Sequence, residues 1–259
     1  MVCPLGSDAQ WTERLVRMPD TYMIADNEAA VVRTSQDRAA LGLPADGFVF
    51  CCFNGSYKID PSTFAIWMRL LSRVNGAVIW LLGDDEAVRR NLAREAKNLG
   101  VDPRRLIFAP FISSHEEHLG RYRHADLFLD TRYCNAHTTA VDALWAGLPV
   151  LTAPGEEMPS RVGASLVTAL GLPELVCRDF LDYEEKALFL ARHPQRLAVL
   201  KEKLAANIRT TPLFDTESRV RQLEAAYMEM WRRHETGLPP ESFGVVAQPP
   251  TIPGRAAWY

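Results

Sequence analysis

The sequence predicts an α/β fold built on a parallel, doubly wound sheet, and three observations predict it. Short apolar runs recur between longer segments whose apolar residues fall at helical spacing. The runs are apolar throughout instead of alternating with polar residues, as strands covered on both faces are. Each run passes into a polar loop that opens a helix, and strand–helix alternation of this kind builds a Rossmann-like sheet. Ligands of such sheets bind at the carboxyl ends of the strands, so the loops after the apolar runs are where chemistry is expected.

Taken in order, residues 1–45 are mixed and weakly periodic and do not form a complete domain. Strands are expected at 48–53, 77–82, 105–109, 126–130, 148–152 and about 174–177. The first helix has Asp60 as N-cap and Pro61 at its first position, with Phe64, Trp67, Met68, Leu71 and Val74 on one stripe. The second covers about 85–99 and stops at Gly100. A short third helix begins near Ser114, where Ser114 and Glu117 fit a capping box. The fourth opens at Thr138 and stops at Gly147, and the fifth covers about 158–170 before Gly171-Leu172-Pro173. Beyond 180 the chain is helical, at 182–192, 194–207 and 216–235, the last with Leu223, Tyr227, Met230 and Trp231 as its apolar stripe. From Leu238 onward prolines and weak periodicity indicate an extended or disordered tail.

Composition narrows the function classes. The chain has 259 residues, 47% of them hydrophobic, enough for a sizeable core. A net charge of −3 argues against nucleic acid as the main partner. No apolar run approaches the roughly 20 residues that span a bilayer, and the amino terminus lacks the basic and apolar regions of a secretion signal. The five cysteines are odd in number and form no CxxC pair, which fits a reduced, cytoplasmic protein. Cys51 and Cys52 read as small core residues and Cys134 as structural.

The most informative stretch is Asp130 to Gly147. An apolar strand runs into the polar loop Asp130-Thr-Arg-Tyr-Cys-Asn-Ala-His137, and Thr138 and Thr139 open a helix. A helix start exposes unpaired N–H groups and the positive end of the dipole, which suits a phosphate. Asp142, one turn on, could accept hydrogen bonds from a ribose. The same residues also fit a threonine cap beside a loop histidine. In the first loop, Phe53 to Asp60, Lys58 precedes a helix and either meets a phosphate or is a solvated surface lysine. In the second, His115-Glu116-Glu117-His118 precedes Arg121. The histidines stand at i, i+3, which departs from the i, i+4 zincin spacing and favours an imidazole stacked on a base over a metal site. His124 reads as structural, and Arg161, after Pro154-Gly155, either neutralises phosphate or ties its own loop.

Taken together, Phe53-Asn-Gly-Ser-Tyr-Lys-Ile-Asp60, Glu116-Glu-His-Leu119, Ala125-Asp-Leu-Phe-Leu-Asp-Thr131, Asn135-Ala-His-Thr-Thr139, Asp142-Ala-Leu-Trp-Ala-Gly-Leu-Pro-Val150 and Pro212-Leu-Phe-Asp215 resemble the C-terminal catalytic lobe of the O-linked N-acetylglucosamine transferase / SPINDLY family, its bacterial, tetratricopeptide-linked members in particular. The resemblance covers about 10–240 in order and spacing. It implies the GT-B architecture and an inverting transfer of a sugar to protein Ser/Thr hydroxyls. The implied donor is UDP-N-acetylglucosamine, or GDP-fucose in the SPINDLY branch, with no metal or other cofactor required. By matching position, Lys58 would contact the diphosphate, His118 would stack near the base, and the backbone from Ile112 to Ser114 would read the base edge. His137, Thr138 and Thr139 would hold phosphates and sugar, Asp142 the ribose, and Arg121 a supporting place; Lys58 and His137 are the candidate catalytic residues.

The chain departs from the family pattern at Gly55, where a glutamine or asparagine is usual; at His115, a lysine in the animal enzymes; at Arg132, where a proline is usual; and at Cys134, an addition to the spacing of some members. The expected organisation is a junction from an absent N-terminal lobe at 1–45, a nucleotide-sugar-binding lobe at 46–212, a C-terminal helix at 213–237 and a tail at 238–259. The expected partners are a nucleotide-sugar, acceptor proteins, and an N-terminal lobe with tetratricopeptide repeats in the same gene or an adjacent one. The alternative is a nucleotide-sugar-binding module that is catalytically incomplete.

Overall fold

The computed structural model describes residues 2–32, 36–83 and 85–247. Its strands are β1 (Val16–Arg17), β2 (Val49–Cys52), β3 (Val78–Leu82), β4 (Leu106–Ala109), β5 (Leu127–Leu129), β6 (Val150–Leu151) and β7 (Phe243–Gly244). Its α-helices are α1 (Pro61–Arg73), α2 (Glu86–Asn98), α3 (His115–Arg121), α4 (Thr138–Trp145), α5 (Val162–Ala169), α6 (Phe180–Arg192), α7 (Pro194–Asn207) and α8 (Thr216–Glu235).

Five strands form one wholly parallel sheet in the order β4-β3-β2-β5-β6. The order runs outward in opposite directions from β2 and β5, which places the topological switch point between their carboxyl ends, where Phe50 and Cys51 pair with Leu127 and Phe128. Strands β2, β5 and β6 are buried along their whole length, as their unbroken apolar runs require. The core joins the sheet to α1 and α6 through Trp67 and Tyr183, both fully buried and joined by an indole N–H···O bond of 3.3 Å.

Helix starts follow local chemistry. Asp60, Asp85, Asp179 and Asp215 each accept backbone N–H groups in the first turn of the helix they precede, and Ser114 does so for α3.

Three elements differ from the sequence expectation. The sixth strand, about 174–177, is a 3-10 turn at Pro173–Leu175 followed by a single parallel bridge between Val176 and Thr152. Pro173 has no N–H and a fixed φ, so the chain turns before it can extend. The helix expected over 158–170 is split into a 3-10 turn at Met158–Ser160, which contains Pro159, and α5 proper. The stripe expected on α8 faces outward: Tyr227 and Trp231 are 58% and 56% exposed, while Arg219, Gln222 and Ala226 are buried.

That buried face of α8 is polar because it holds the amino-terminal segment. The Arg219 guanidinium donates to the Thr21 carbonyl and to Gln222, and the Thr216 hydroxyl donates to the Ala25 carbonyl at 2.7 Å. A buried guanidinium is tolerable only with such acceptors in place. Nearby, β1 and β7 pair in parallel, with Leu15 N–H donating to Ser242 Oγ at 2.9 Å. Neither was expected, because the segments that hold them, 1–45 and the stretch from Leu238 onward, are weakly periodic. Of the expected tail, 248–259 lies outside the described residues. Among the described residues, no helix is long and apolar enough to cross a membrane.

Candidate functional site

The loops after β2 and β5 meet at the switch point. Lys58 ends a 3-10 turn, Ser56–Lys58, and its ammonium donates to the Asn135 carbonyl at 2.8 Å. The β5 loop is itself cross-tied. Asn54 Nδ2 donates to Thr131 Oγ1 at 2.8 Å, and that hydroxyl donates to the Cys134 carbonyl at 2.7 Å. Asn135 Nδ2 donates to the Thr131 carbonyl at 2.7 Å, and its Oδ1 accepts Gly163 N–H at 3.1 Å. The carbonyl that receives Lys58 is therefore held by a buried asparagine.

The loop delivers α4, eight residues long, with His137 at the N-cap position and no side-chain cap. The threonine cap open at the sequence level is not formed. Thr138 is exposed and Thr139 half-buried. The first intrahelical bonds run from Ala140 and Val141 to the His137 carbonyl, so the N–H groups of Thr138 and Thr139 have no acceptor among the described residues. Asn135, whose carbonyl receives the Lys58 ammonium, stands two residues before the His137 N-cap of this helix.

His137 is held at both ring nitrogens. Nε2 lies 3.4 Å from the Pro159 carbonyl, which can only accept, so Nε2 carries the hydrogen; Nδ1 then accepts from the Tyr22 hydroxyl at 3.2 Å. Burial lowers the His137 pKa, and the ring is a neutral imidazole.

A second group forms where α3 meets α4. His118 lies against Phe53 and Tyr122, with ring centroids 5.9 and 5.2 Å away. Its Nδ1 accepts from Arg121 at 2.6 Å, which leaves the hydrogen on Nε2, 4.0 Å from an Asp142 oxygen. Burial, with the charges of Arg121 and His115 behind it, pushes His118 down to about 4, so the ring is neutral at pH 7. His115 Nε2 lies 3.3 Å from the other Asp142 oxygen. Burial raises the Asp142 pKa, and His115 opposes the rise. Arg121 is buried behind the site: it donates to the Pro110 carbonyl at 2.8 Å and its guanidinium sits 4.3 Å over the Phe53 ring. It fixes His118 from behind and presents no face to a ligand. Ile112 is half-buried in the loop between β4 and α3.

Lys58, His137, Thr138 and Thr139 thus form one cluster, and His115, His118 and Asp142 a second on the same rim. The remaining candidates sort clearly. Arg161 donates to the Gly155 carbonyl at 2.8 Å and ties its own loop. His124 is buried at the opposite, amino end of β5. Cys51 and Cys52 are buried strand residues whose thiols burial pushes up, Cys52 to about 12. Among the described residues, no group of three or more His, Cys, Asp or Glu is placed to hold a metal ion.

Two contributors were missed at the sequence level. Asn135 lies inside the quoted run, and a polar residue wedged between a cysteine and an alanine before a helix start was the available signal. Tyr22 had none: it comes from a weakly periodic segment 115 residues away. Chemically, an ammonium beside two open amides at a helix start neutralises an anion. A flat neutral imidazole stacks on a base, and a carboxylate accepts hydroxyl groups.

Comparison with known proteins shows the family. The chain is 39% identical over 251 residues to "Probable UDP-N-acetylglucosamine--peptide N-acetylglucosaminyltransferase SEC" of Arabidopsis thaliana, an alignment covering 95% of this chain and 26% of that protein. It is 30% identical to the tomato (Solanum lycopersicum) protein of the same activity name called SPINDLY, covering 92% of this chain and 26% of that one. A solved mutant of the Thermobaculum terrenum O-GlcNAc transferase superposes with a TM-score of 0.80 at 33% identity, covering 91% of this chain and 45% of that chain. The chain therefore spans about a quarter of the length of these curated relatives. The profile of glycosyl transferase family 41 matches residues 26–223, and the chain, a Rossmann-like lobe of GT-B type, belongs to that family.

Proposed function

We propose that this chain is the donor-binding lobe of an inverting protein O-glycosyltransferase that moves N-acetylglucosamine from UDP-N-acetylglucosamine to protein Ser/Thr hydroxyls. The observation that carries the reading is the Lys58–Asn135 bond, which sets an ammonium beside the open amides of Thr138 and Thr139 at the switch point. On this reading the donor diphosphate bridges these groups. As the sugar leaves, negative charge grows on the nucleoside diphosphate, and the fixed ammonium and amides stabilise it without having to reorganise. The cradle supplies that positive field from the protein, with no metal. His118 stacks against the base, the backbone from Ile112 to Ser114 reads the base edge, and Asp142, beside His115, accepts from the ribose. His137, neutral, offers hydrogen bonds to the sugar end and does not serve as a charged clamp.

Both relatives carry the activity name UDP-N-acetylglucosamine--peptide N-acetylglucosaminyltransferase, which supports N-acetylglucosamine as the sugar. The corresponding organisation is a nucleotide-sugar-binding lobe at 46–212 and a C-terminal helix at 213–237, with 1–45 leading from an N-terminal lobe and 238–259 forming a tail. That lobe, with the tetratricopeptide repeats, would bring the acceptor protein and the catalytic base.

Calorimetry with UDP tests the reading. Lys58→Ala and the double change Thr138→Ala/Thr139→Ala should each weaken binding, and unchanged affinity in both would sink it. A panel of UDP-N-acetylglucosamine and GDP-fucose identifies the donor. Transfer of labelled sugar to protein separates an active lobe from a module that only binds.

A further inference from the structure

Behind the cradle lies a buried carboxylate that no step above uses. Asp130 is 1% exposed at the end of β5. Its Oδ1 accepts the N–H groups of Thr131 at 2.8 Å and Ala136 at 2.6 Å, so one oxygen closes the loop between them into a ring. Its Oδ2 accepts the Thr152 hydroxyl, from the end of β6, at 2.7 Å. Its backbone carbonyl accepts the Tyr183 hydroxyl at 3.0 Å. Room for the carboxylate is made by Gly163, where a Cβ would stand 2.3 Å from Asp130 Oδ2 and 2.6 Å from Thr152 Oγ1.

We propose that Asp130 is the positioning residue of the donor cradle, acting through the 131–137 loop to set both the Asn135 carbonyl that aims Lys58 and the helix start that presents Thr138 and Thr139. The proposal rests on the donor-lobe reading and deepens it. The Ala136 amide is the last one before the N-cap residue. Its bond to Asp130 settles which amides stay available to an anion: Ala136 is taken, Thr138 and Thr139 are open. Asn135, next to it, then has one orientation in which its side chain spans Thr131 and Gly163 while its carbonyl faces Lys58. A carboxylate suits this place because one oxygen can take two convergent N–H groups while the other takes a hydroxyl. At neutral pH it serves as an acceptor only: burial pushes its pKa up to about 6, still below 7, with the Ala136, Thr152 and Thr131 donors opposing the rise.

The role is one of shape, and asparagine retains it. An amide oxygen can accept both N–H groups while the NH2 donates to Thr152 Oγ1. The test is therefore UDP binding by calorimetry, with amide hydrogen exchange over 131–137, on the intact chain and its variants. Asp130→Asn should bind UDP within about threefold of the parent and keep Ala136 protected. Asp130→Ala should bind at least tenfold more weakly and expose Ala136 to exchange, while still unfolding cooperatively. Wild-type-like affinity in folded Asp130→Ala, or equal losses in Asp130→Asn and Asp130→Ala, overturns the proposal. If Asp130→Ala does not fold, Gly163→Ala decides: its methyl displaces Oδ2 and should weaken UDP binding tenfold, and undisturbed binding overturns the idea. A parent chain that binds no nucleotide defeats the donor-lobe reading; the exchange pattern then still decides whether Asp130 shapes this loop.

Discussion

The Tyr22 hydroxyl and His137 Nδ1 meet at 3.2 Å across 115 residues of sequence, with the two rings edge to face at 6.4 Å. The amino-terminal segment thus reaches the sugar end of the proposed donor site. Both His137 nitrogens are engaged within the chain, so a donor that uses this ring has to displace one partner. A neutral hydrogen bond of this kind is worth about 1 kcal/mol net. Tyr22→Phe removes the competitor and keeps the ring contact, and UDP-N-acetylglucosamine should then bind about two- to tenfold more tightly by calorimetry. Weaker binding would show that Tyr22 assists the donor instead.

His118 and Asp130 make opposite contributions to acid stability. His118 falls from 6.5 to about 4 in the folded chain, so its contribution is whole above pH 6.5 and is lost as pH falls toward 4. Asp130 rises from 3.8 to about 6, so its contribution is whole below pH 4 and is lost as pH rises toward 6. Each spans roughly 3 kcal/mol at about 1.4 kcal/mol per unit, and over pH 4–6 they largely cancel. Denaturant unfolding across that window should therefore show, relative to the parent, His118→Phe losing stability as pH rises and Asp130→Asn losing it as pH falls. Parallel curves for all three proteins would contradict both shifts.

The sheet was legible because buried parallel strands must be apolar on both faces, and runs such as Phe48–Phe53 and Ala77–Leu82 leave no other reading. Asp60 as a cap and Gly100 and Gly147 as stops marked helix ends for a similarly local reason, whereas the caps at Asp85, Asp179 and Asp215 emerged only in the structure. The rim residues Lys58, His115, His118, His137 and Asp142 were singled out because they stand in the loops after strands or in the opening turns of the helices that those loops deliver. What stayed hidden is long-range. Tyr22 reaches His137, Arg219 reaches Thr21, and Asp130 reaches Thr152 only after the chain has folded, and no period in the sequence encodes such pairs. The α8 stripe misled because apolar spacing says which residues share a face but not which face is covered.

Thr131 links two otherwise separate groups, accepting from Asn54 and donating to the Cys134 carbonyl. Thr131→Val fills nearly the same volume but leaves both partners without their bond in a fully buried place. Each unsatisfied buried group costs about 1–3 kcal/mol. The variant should lose about 2–4 kcal/mol of unfolding free energy by denaturant titration and bind UDP more weakly. A loss below about 0.5 kcal/mol would mean that the loop does not depend on this hydroxyl.

His115 offers a gain. Its Nε2 lies 3.3 Å from Asp142 at the start of α3, within reach of the proposed ribose and diphosphate. A lysine there carries a full charge at all working pH values and has the reach to leave Asp142 for a phosphate. His115→Lys should tighten UDP binding about three- to tenfold at low salt, and the gain should shrink as ionic strength rises toward the point where the Debye length falls to about 3 Å. A gain that ignores salt would not be electrostatic, and no gain at all would place the diphosphate elsewhere.

The outward face of α8 makes the last prediction. Val220, Tyr227, Met230 and Trp231 lie on one side of the helix and are exposed, while the inner side is already committed to the amino-terminal segment through Arg219 and Gln222. A solvated apolar stripe of this kind favours association. Replacing Tyr227 and Trp231 together by serine removes the two largest aromatic surfaces and touches none of the bonds of the inner face. Sedimentation of the isolated chain should shift toward monomer, with the thermal midpoint unchanged within a few degrees. Persistent association in the double variant would mean that another surface drives it, and a large fall in the midpoint would mean that the stripe is covered in solution.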